Sequence, residues 1–531
     1  MKKYSHISYA KIQRPYFRKT LYLALLLLWT AFSNLHAQHN GRVYYSIIPQ
    51  PRIVRPAPGD FNTKNHIAVC FETDDPAFTE KIRYMPETIL EDYFNRLSFP
   101  EKCPASNFLM IRQAPVEGTH NPAAYRIRIR KKSILIEAPH EEGVFYALQS
   151  LRQIIAGRRA IESYFIPGGE IIDWPEYEYR GMMLDVARHF FDESQIRTLI
   201  DYLARFKINK LHLHLADDQG WRIEIKSYPE LTKRGSLIEV DSTPGGYFTQ
   251  QQYSDLVEYA RNRFIDIIPE IDMPGHTNAA LASYAFLNCD DKRRELYPGT
   301  DVGFSSLCTS KDTVYGFVDR VIGELAAISP SPYIHIGGDE SDATPHEGYI
   351  RFVDSVQKIV RRHGKTMIGW DEIARAPLDS GTVVQFWIHK DEAAKASLAG
   401  HPVIYSYAPY MYLDMKYNKK TPLGLHWAGY IDLKKAYTKA LERVEGLDTN
   451  MIVGLEAPLW TETVRSMRDL IYLTYPRMCA YAEAGWTPRK ERNWRPFRIR
   501  LSLLQKTLPP GFYKDKSVPW NYPRLHKQTG H

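Results

Sequence analysis

Past residue 178 the chain settles into a rhythm of eight short apolar, β-rich runs, each followed by a stretch with helical spacing. The runs are YRGMMLDVAR (179–188), KLHLHLADD (210–218), DIIPEIDMPG (266–275), YIHIGGDE (333–340), TMIGWDEI (366–373), VVQFWI (383–388), VIYSYAPYMYLD (403–414) and MIVGLEAPLWTE (451–462). Eight strands alternating with helices predict a parallel (β/α)8 TIM barrel. An open, doubly wound sheet is the alternative, but no glycine-rich dinucleotide fingerprint follows the first run.

The barrel accounts for residues 173–510, and what precedes it reads differently. From 38 to 172, AYRIRIRKKSILIEA alternates like two half-buried strands and EEGVFYALQSLRQII repeats its apolar residues at helical spacing. This is a small α/β accessory domain. PGGEIIDWPEYEYRG supplies the glycines and prolines of the junction, and the tail 511–531 carries no usable pattern.

Residues 1–37 combine Lys2, Lys3, Lys11, Arg14, Arg18 and Lys19 with the apolar run LYLALLLLWTAF and Ala37 at a cleavage position. That predicts a secretory signal, hence export to the periplasm or beyond. The run falls short of the roughly 20 residues a membrane span needs, so no stable membrane anchor is expected. The formal net charge of +8 less those six cations leaves about +2 for the rest. With no basic cluster interleaved with aromatics, a nucleic-acid partner is not expected. The five cysteines show no metal-like spacing, and their odd number leaves at least one unpaired. Cys289 and Cys308 could pair in an oxidising compartment, although neighbours in sequence need not meet in space.

Barrel enzymes gather their chemistry at the C-terminal ends of the strands. Here those ends carry Asp217 and Asp218, Asp272 and His276, Asp339 and Glu340, Trp370, Trp387, Tyr412 and Asp414, and Trp460 and Glu462. One acid after a strand is commonly a helix cap, but so many convergent polar and aromatic endings point to a site. Residues two apart on a strand point the same way. Tyr412 with Asp414, and Trp460 with Glu462, are therefore each expected to deliver a ring and a carboxylate to one pocket. Rings cover the apolar face of a pyranose and carboxylates accept from its hydroxyls; Trp427, in GLHWAGY, adds a further ring. His212 and His214 alternate on one face and invite a metal reading. The preferred reading is that both are hydrogen-bonded inside the barrel.

Taken together, YRGMMLDVARHF, HLHLADDQGWR, PEIDMPGHTNAA, HIGGDE, GWDE, QFW, YLDMKY and EAPLWTE closely resemble the family 20 glycoside hydrolases, the β-N-acetylhexosaminidases. The resemblance runs from about residue 40 through 500. It implies an exo-acting retaining enzyme on terminal β-linked GlcNAc or GalNAc of a glycan, with neither metal nor organic cofactor. The substrate's own 2-acetamido oxygen would be the nucleophile, an exception to the two-carboxylate scheme. Glu340 would be the general acid and base, Asp339 would hold the acetamido N–H, and Tyr412 would bind the acetamido oxygen. Asp272 and His276 would tune the acid, with Asp217 as a supporting contact. Trp370, Trp387 and Trp460 would wall the N-acetyl pocket. Arg180 and Glu462 would bind O3 and O4, with Asp414 and Trp427 toward O6. A catalytically silent carbohydrate-binding protein and a metal-dependent hydrolase are the alternatives, separated by a turnover assay and by chelation.

Overall fold

The computed structural model describes residues 43–94 and 96–505, so the predicted signal and tail lie outside the described residues. The first part is a seven-stranded mixed sheet. Its spatial order is Ile53–Pro56, Gly169–Asp173, Tyr125–Arg130, Ser133–Ala138, Phe108–Gln113, Ile67–Glu72 and Leu97–Ser98. The alternating segment forms the antiparallel hairpin predicted from it, with Ile127 opposite Ile136. Ile127, Ile129, Ile134 and Ile136 are buried and share a hydrophobic core with Val144, Leu148 and Leu151 of the helix Glu141–Arg159. Arg126 and Arg128, the alternate residues, pair with Glu137 and Glu170. A disulfide that the sequence did not suggest joins Cys70 to Cys103.

One buried joint ties this sheet to the barrel. Lys207 Nζ lies 3.3 Å from Asp173 Oδ2 and donates to the Tyr125 hydroxyl at 2.8 Å. Trp486 Nε1 donates to the other oxygen of Asp173 at 2.9 Å.

The eight predicted runs each supply one strand, and the strands close into a barrel. They are β1 (Tyr179–Asp185), β2 (Lys210–His214), β3 (Asp266–Glu270), β4 (Tyr333–His335), β5 (Thr366–Trp370), β6 (Val383–Phe386), β7 (Val403–Tyr405) and β8 (Ile452–Leu459). All neighbours are parallel, and β1 closes on β8 with Tyr179 opposite Gly454. The strands are shorter than their runs because the remainder of each run turns into the loop that carries the chemistry.

Barrel interiors are usually layers of branched aliphatic residues. Here only one end is: Tyr179, Ile268, Ile368, Val383 and Ile404 form a separate apolar cluster. Beyond it the interior is ionic. Glu456 accepts from Tyr179, Gln385 and His212. Glu270 accepts from Trp370 Nε1 at 3.0 Å and contacts His212, His214 and His335 at 2.5–3.0 Å. Buried carboxylates need such partners, since an isolated charge there is very costly. Gly181 makes the space: a Cβ at that position would lie 2.7 Å from Glu456 Oε2.

Candidate active site

The ionic interior rises without a break to the mouth of the barrel. His214 Nε2 lies 2.8 Å from Asp217 Oδ2, and Asp217 Oδ1 lies 3.1 Å from His276 Nδ1. The other nitrogen of His276 stands 3.4 Å from Glu340 Oε2 and 3.8 Å from Asp339 Oδ2. One imidazole therefore faces both members of the adjacent acid pair.

The chain after β4 bends sharply to bring them there. Gly337 and Gly338 have φ of 67° and 96°, and Glu340 itself has φ of 42°. A Cβ on Gly337 would overlap the carboxylate of Asp272, so only glycine fits. Asp272 Oδ1 accepts from the Gly338 amide at 3.0 Å, pinning the turn. Glu340 and His276 (φ 54°) are non-glycine residues in the left-handed region, the kind of strain that clusters at functional sites.

Aromatic rings close one side. Trp387 and Tyr412 stack with centroids 6.3 Å apart, Tyr412 meets Trp460 at 6.4 Å, and Trp460 meets Trp370 at 5.9 Å. Trp387 Nε1 donates to Glu372 at 2.9 Å. With Trp370 held by Glu270 in the same way, the polar edges of both indoles are committed away from any ligand. Trp427 stands at the rim, 53% exposed, edge-on to Trp387 and Tyr412.

Charge converges beside Trp460. Arg188 Nη2 lies 2.8 Å from Asp217 Oδ2, its Nε donates to Gln219, and its guanidinium sits 4.9 Å from the Trp460 ring. Among the described residues, Glu462 Oε2 and both oxygens of Asp414 accept no hydrogen bond of normal geometry, although all are buried. Buried polar atoms without partners are rare enough to need an explanation. A polyhydroxylated ligand supplies one.

Burial pushes the Asp339 carboxyl up to about 6, with Glu340 and Glu270 adding to the rise and His276 opposing it. Burial, with Asp339 alongside, raises Asp272 well above the ordinary carboxylate range. Burial also raises Asp414, with Glu462 adding to it, and raises Glu462 against the pull of Arg188. Burial would lower His276, but Asp217, Asp272 and Asp339 outweigh it and hold its pKa well above the ordinary value. Burial likewise opposes the charge on Asp217, yet Arg188 and His276 keep that carboxyl far below its usual range. Burial lifts the Tyr412 phenol well above 10, leaving an O–H donor at neutral pH.

Residues 177–489 match the sequence profile of the glycosyl hydrolase family 20 catalytic domain, and residues 44–174 match that of family 20 domain 2. The chain belongs to glycosyl hydrolase family 20. It is 39% identical over 383 residues to the beta-N-acetylhexosaminidase of Cellulomonas fimi, covering 71% of this chain and 77% of that one. The GH20 beta-N-acetylhexosaminidase structure from Streptomyces coelicolor A3(2) superimposes with a TM-score of 0.82 at 38% identity, covering 90% and 99% of the two chains. A mutant Streptomyces plicatus beta-hexosaminidase in complex with product GlcNAc gives 0.82 at 39% identity, covering 90% and 98%. The protein is thus a glycoside hydrolase of the β-N-acetylhexosaminidase family.

Within this family 20 site the structure gathers Asp217, Asp272, His276, Asp339, Glu340, Trp370, Trp387, Tyr412, Asp414, Trp427, Trp460 and Glu462. It does not include Arg180. That arginine is the second residue of β1, at the end of the barrel opposite the acid pair. Its guanidinium donates to the carbonyls of Lys207 and Tyr177 and to the Tyr146 hydroxyl, between the rings of Tyr146 and Trp486. Arg188, just past the C-terminal end of the same strand, takes the position beside Trp460. The period-two argument fails for both pairs: β7 stops at Tyr405 and a helical turn, Ala408–Met411, precedes Tyr412, while β8 stops at Leu459, before Trp460 and Glu462. His212 and His214 are hydrogen-bonded inside the barrel, as preferred from sequence. Cys289 and Cys308 are disulfide-bonded, and Cys479 is a buried free thiol.

Proposed function

We propose that the chain is an exo-acting, retaining β-N-acetylhexosaminidase that removes terminal β-linked GlcNAc or GalNAc by substrate-assisted catalysis. The observation that carries the reading is the acid pair standing side by side on one turn, both facing His276. One oxygen of each carboxylate and a nitrogen of that imidazole all lie within 4.8 Å of one another. A protein nucleophile would have to approach the anomeric carbon from the face opposite the acid, and Asp339 is instead buried beside the acid.

In this mechanism the 2-acetamido oxygen bonds to C1 as the C1–O bond to the leaving group breaks. Glu340 gives its proton to that departing oxygen. The oxazolinium cation so formed places its N–H against Asp339, whose negative charge offsets the charge that develops there. Tyr412 donates its O–H to the acetamido oxygen, and Trp370, Trp387 and Trp460 hold the acetamido arm in a near-attack geometry. Water then gives a proton to Glu340 and attacks C1 as the ring-closing bond breaks, so configuration is retained. Arg188, Glu462 and Asp414 hold the far hydroxyls. Export fits the two disulfides, which persist in oxidising compartments.

A β-glucoside with a 2-hydroxyl should be inert even at saturation, and progressive fluorination of the N-acetyl methyl should lower the rate by withdrawing electrons from the attacking oxygen. A glycosyl ester trapped on Asp339, Asp414 or Glu462 and seen by mass spectrometry would overturn the mechanism.

A further inference from the structure

The loop between β3 and the helix Asp312–Ile328 is tied at its base by the Cys289–Cys308 disulfide and by Lys311, which donates to the Asn288 carbonyl and to Asp291. Its inner limb is fastened to the residues that follow the catalytic acid. The Ala343 amide donates to the Gly303 carbonyl at 3.0 Å, and the Ser306 and Thr344 hydroxyls are 2.6 Å apart. Gly303, with φ of 78°, packs so close to Asp342 that a Cβ would lie 2.9 Å from its carboxylate. Residues 303 and 304 are thereby held beside the turn that carries Glu340.

Between this loop and the start of the helix His346–Arg362 lies a cavity of about 710 Å³, lined by Tyr297, Phe304, Ser306, Thr309 and Arg351 among others. A second cavity of about 540 Å³ shares Thr309, Ser310 and Arg351 with it and runs on between the helices Asp312–Ile328 and His346–Arg362. The two form one groove that begins at Ala343, three residues after Glu340, and has none of the site's tryptophans in its lining. Phe304 is 45% exposed, and its ring sits 4.6 Å from that of Tyr297. Asn288, buried in the cavity lining, has an Oδ1 that accepts no hydrogen bond among the described residues. An exposed ring beside hydroxyl, amide and guanidinium groups is what a sugar surface needs, and the volume of each cavity lies in the range of roughly 300–1,000 Å³ typical of small-ligand sites.

The leaving group must depart on the exposed side of Glu340, whose side chain is 35% accessible. We propose that the groove is a distal aglycone site, taking the reducing-side sugars of an N-acetylhexosamine oligosaccharide beyond the one that bears the scissile oxygen. Phe304 and Tyr297 cover a pyranose face there, and Arg351 and Thr309 bond its hydroxyl and acetamido groups. This rests on the hexosaminidase reading above.

The test compares kcat/KM on an aryl β-N-acetylglucosaminide, which cannot reach the groove, with kcat/KM on the β-linked N-acetylglucosamine di- to pentasaccharides. The wild-type value should climb from the disaccharide to the longer chains. Phe304→Ala should remove that increment, on the order of tenfold for one aromatic contact, while leaving the aryl glycoside and the disaccharide unchanged. Phe304→Tyr, which keeps a ring, should retain it. A wild-type kcat/KM independent of chain length, or an equal loss on aryl and long substrates, overturns the site. A wild-type enzyme inactive on the aryl glycoside overturns the hexosaminidase reading itself, and the groove assignment with it.

Discussion

Two arginines eight residues apart, one near the start of β1 and one just past its end, give the sharpest test of the site. Arg188→Met removes the cation 2.8 Å from Asp217 and stacked on Trp460, with the charge that faces Glu462. A charge-assisted hydrogen bond contributes about 1.5–3 kcal/mol, and two of them to adjacent hydroxyls would be worth about 3 kcal/mol or more. That corresponds to a loss in kcat/KM of at least about 10²-fold. Arg180→Met instead removes hydrogen bonds to the carbonyls of Lys207 and Tyr177 at the floor of the barrel. It should cost stability, a few kcal/mol for carbonyls left buried and unpaired, while kcat/KM of the folded enzyme stays near wild type. The assay is steady-state hydrolysis of an aryl β-N-acetylglucosaminide alongside a thermal melt of each variant. Wild-type kcat/KM in Arg188→Met, or a larger catalytic loss in Arg180→Met, would refute the assignment.

Glu340→Gln should lose about 10²- to 10⁴-fold in rate, far more for a disaccharide than for an activated aryl glycoside; equal losses would remove Glu340 from the acid role. In the proposed mechanism Asp339 faces the oxazolinium as a carboxylate, so kcat/KM should fall as pH drops through about 6, and Asp339→Asn should lack that limb. Glu270→Gln leaves His212, His214 and His335 around an uncharged amide, and loss of one member of a buried ion cluster costs about 3–5 kcal/mol, read as a lowered Tm. Burial opposes the His212 imidazolium, but Glu456 and Glu270 raise it from 6.5 to about 9. Its stabilisation is therefore whole below about 6.5 and lost as pH rises through about 9, and Glu456→Gln should flatten the pH dependence of Tm in that window.

The barrel was legible because its parallel strands are buried on both faces and read as continuous apolar runs. The acid pair stood out only as one of many polar and aromatic strand endings, since an acid after a single strand is commonly a helix cap. Arg180 misled because it lies in the same run as the site arginine, at the wrong end; strand direction alone separates it from Arg188. Of the ionic interior only His212 and His214 could be read as buried and hydrogen-bonded; their partners could not. Glu456 and His212 are 244 residues apart in the chain, and Glu270 and His214 are 56 apart; within a single run each acid resembles a cap. The outer loop was equally opaque, because its fastening to residues 342–344 depends on three-dimensional proximity that no local period encodes.

The joint at Lys207 bears on how the molecule can be taken apart. Burial lowers the lysine to about 8 even with Asp173 beside it, so near neutral pH the folded protein holds an ammonium in a chamber roofed by the accessory sheet. Cutting the proline- and glycine-rich junction after Asp173, the last residue of the strand Gly169–Asp173, would remove Tyr125 and Asp173 together, leaving that cation against the face of Trp486, 4.3 Å away, with no anion to meet it. The junction that looks dispensable on paper therefore divides a single cooperative unit. A barrel expressed alone would be a destabilised fragment, and the two halves would melt in one transition when joined.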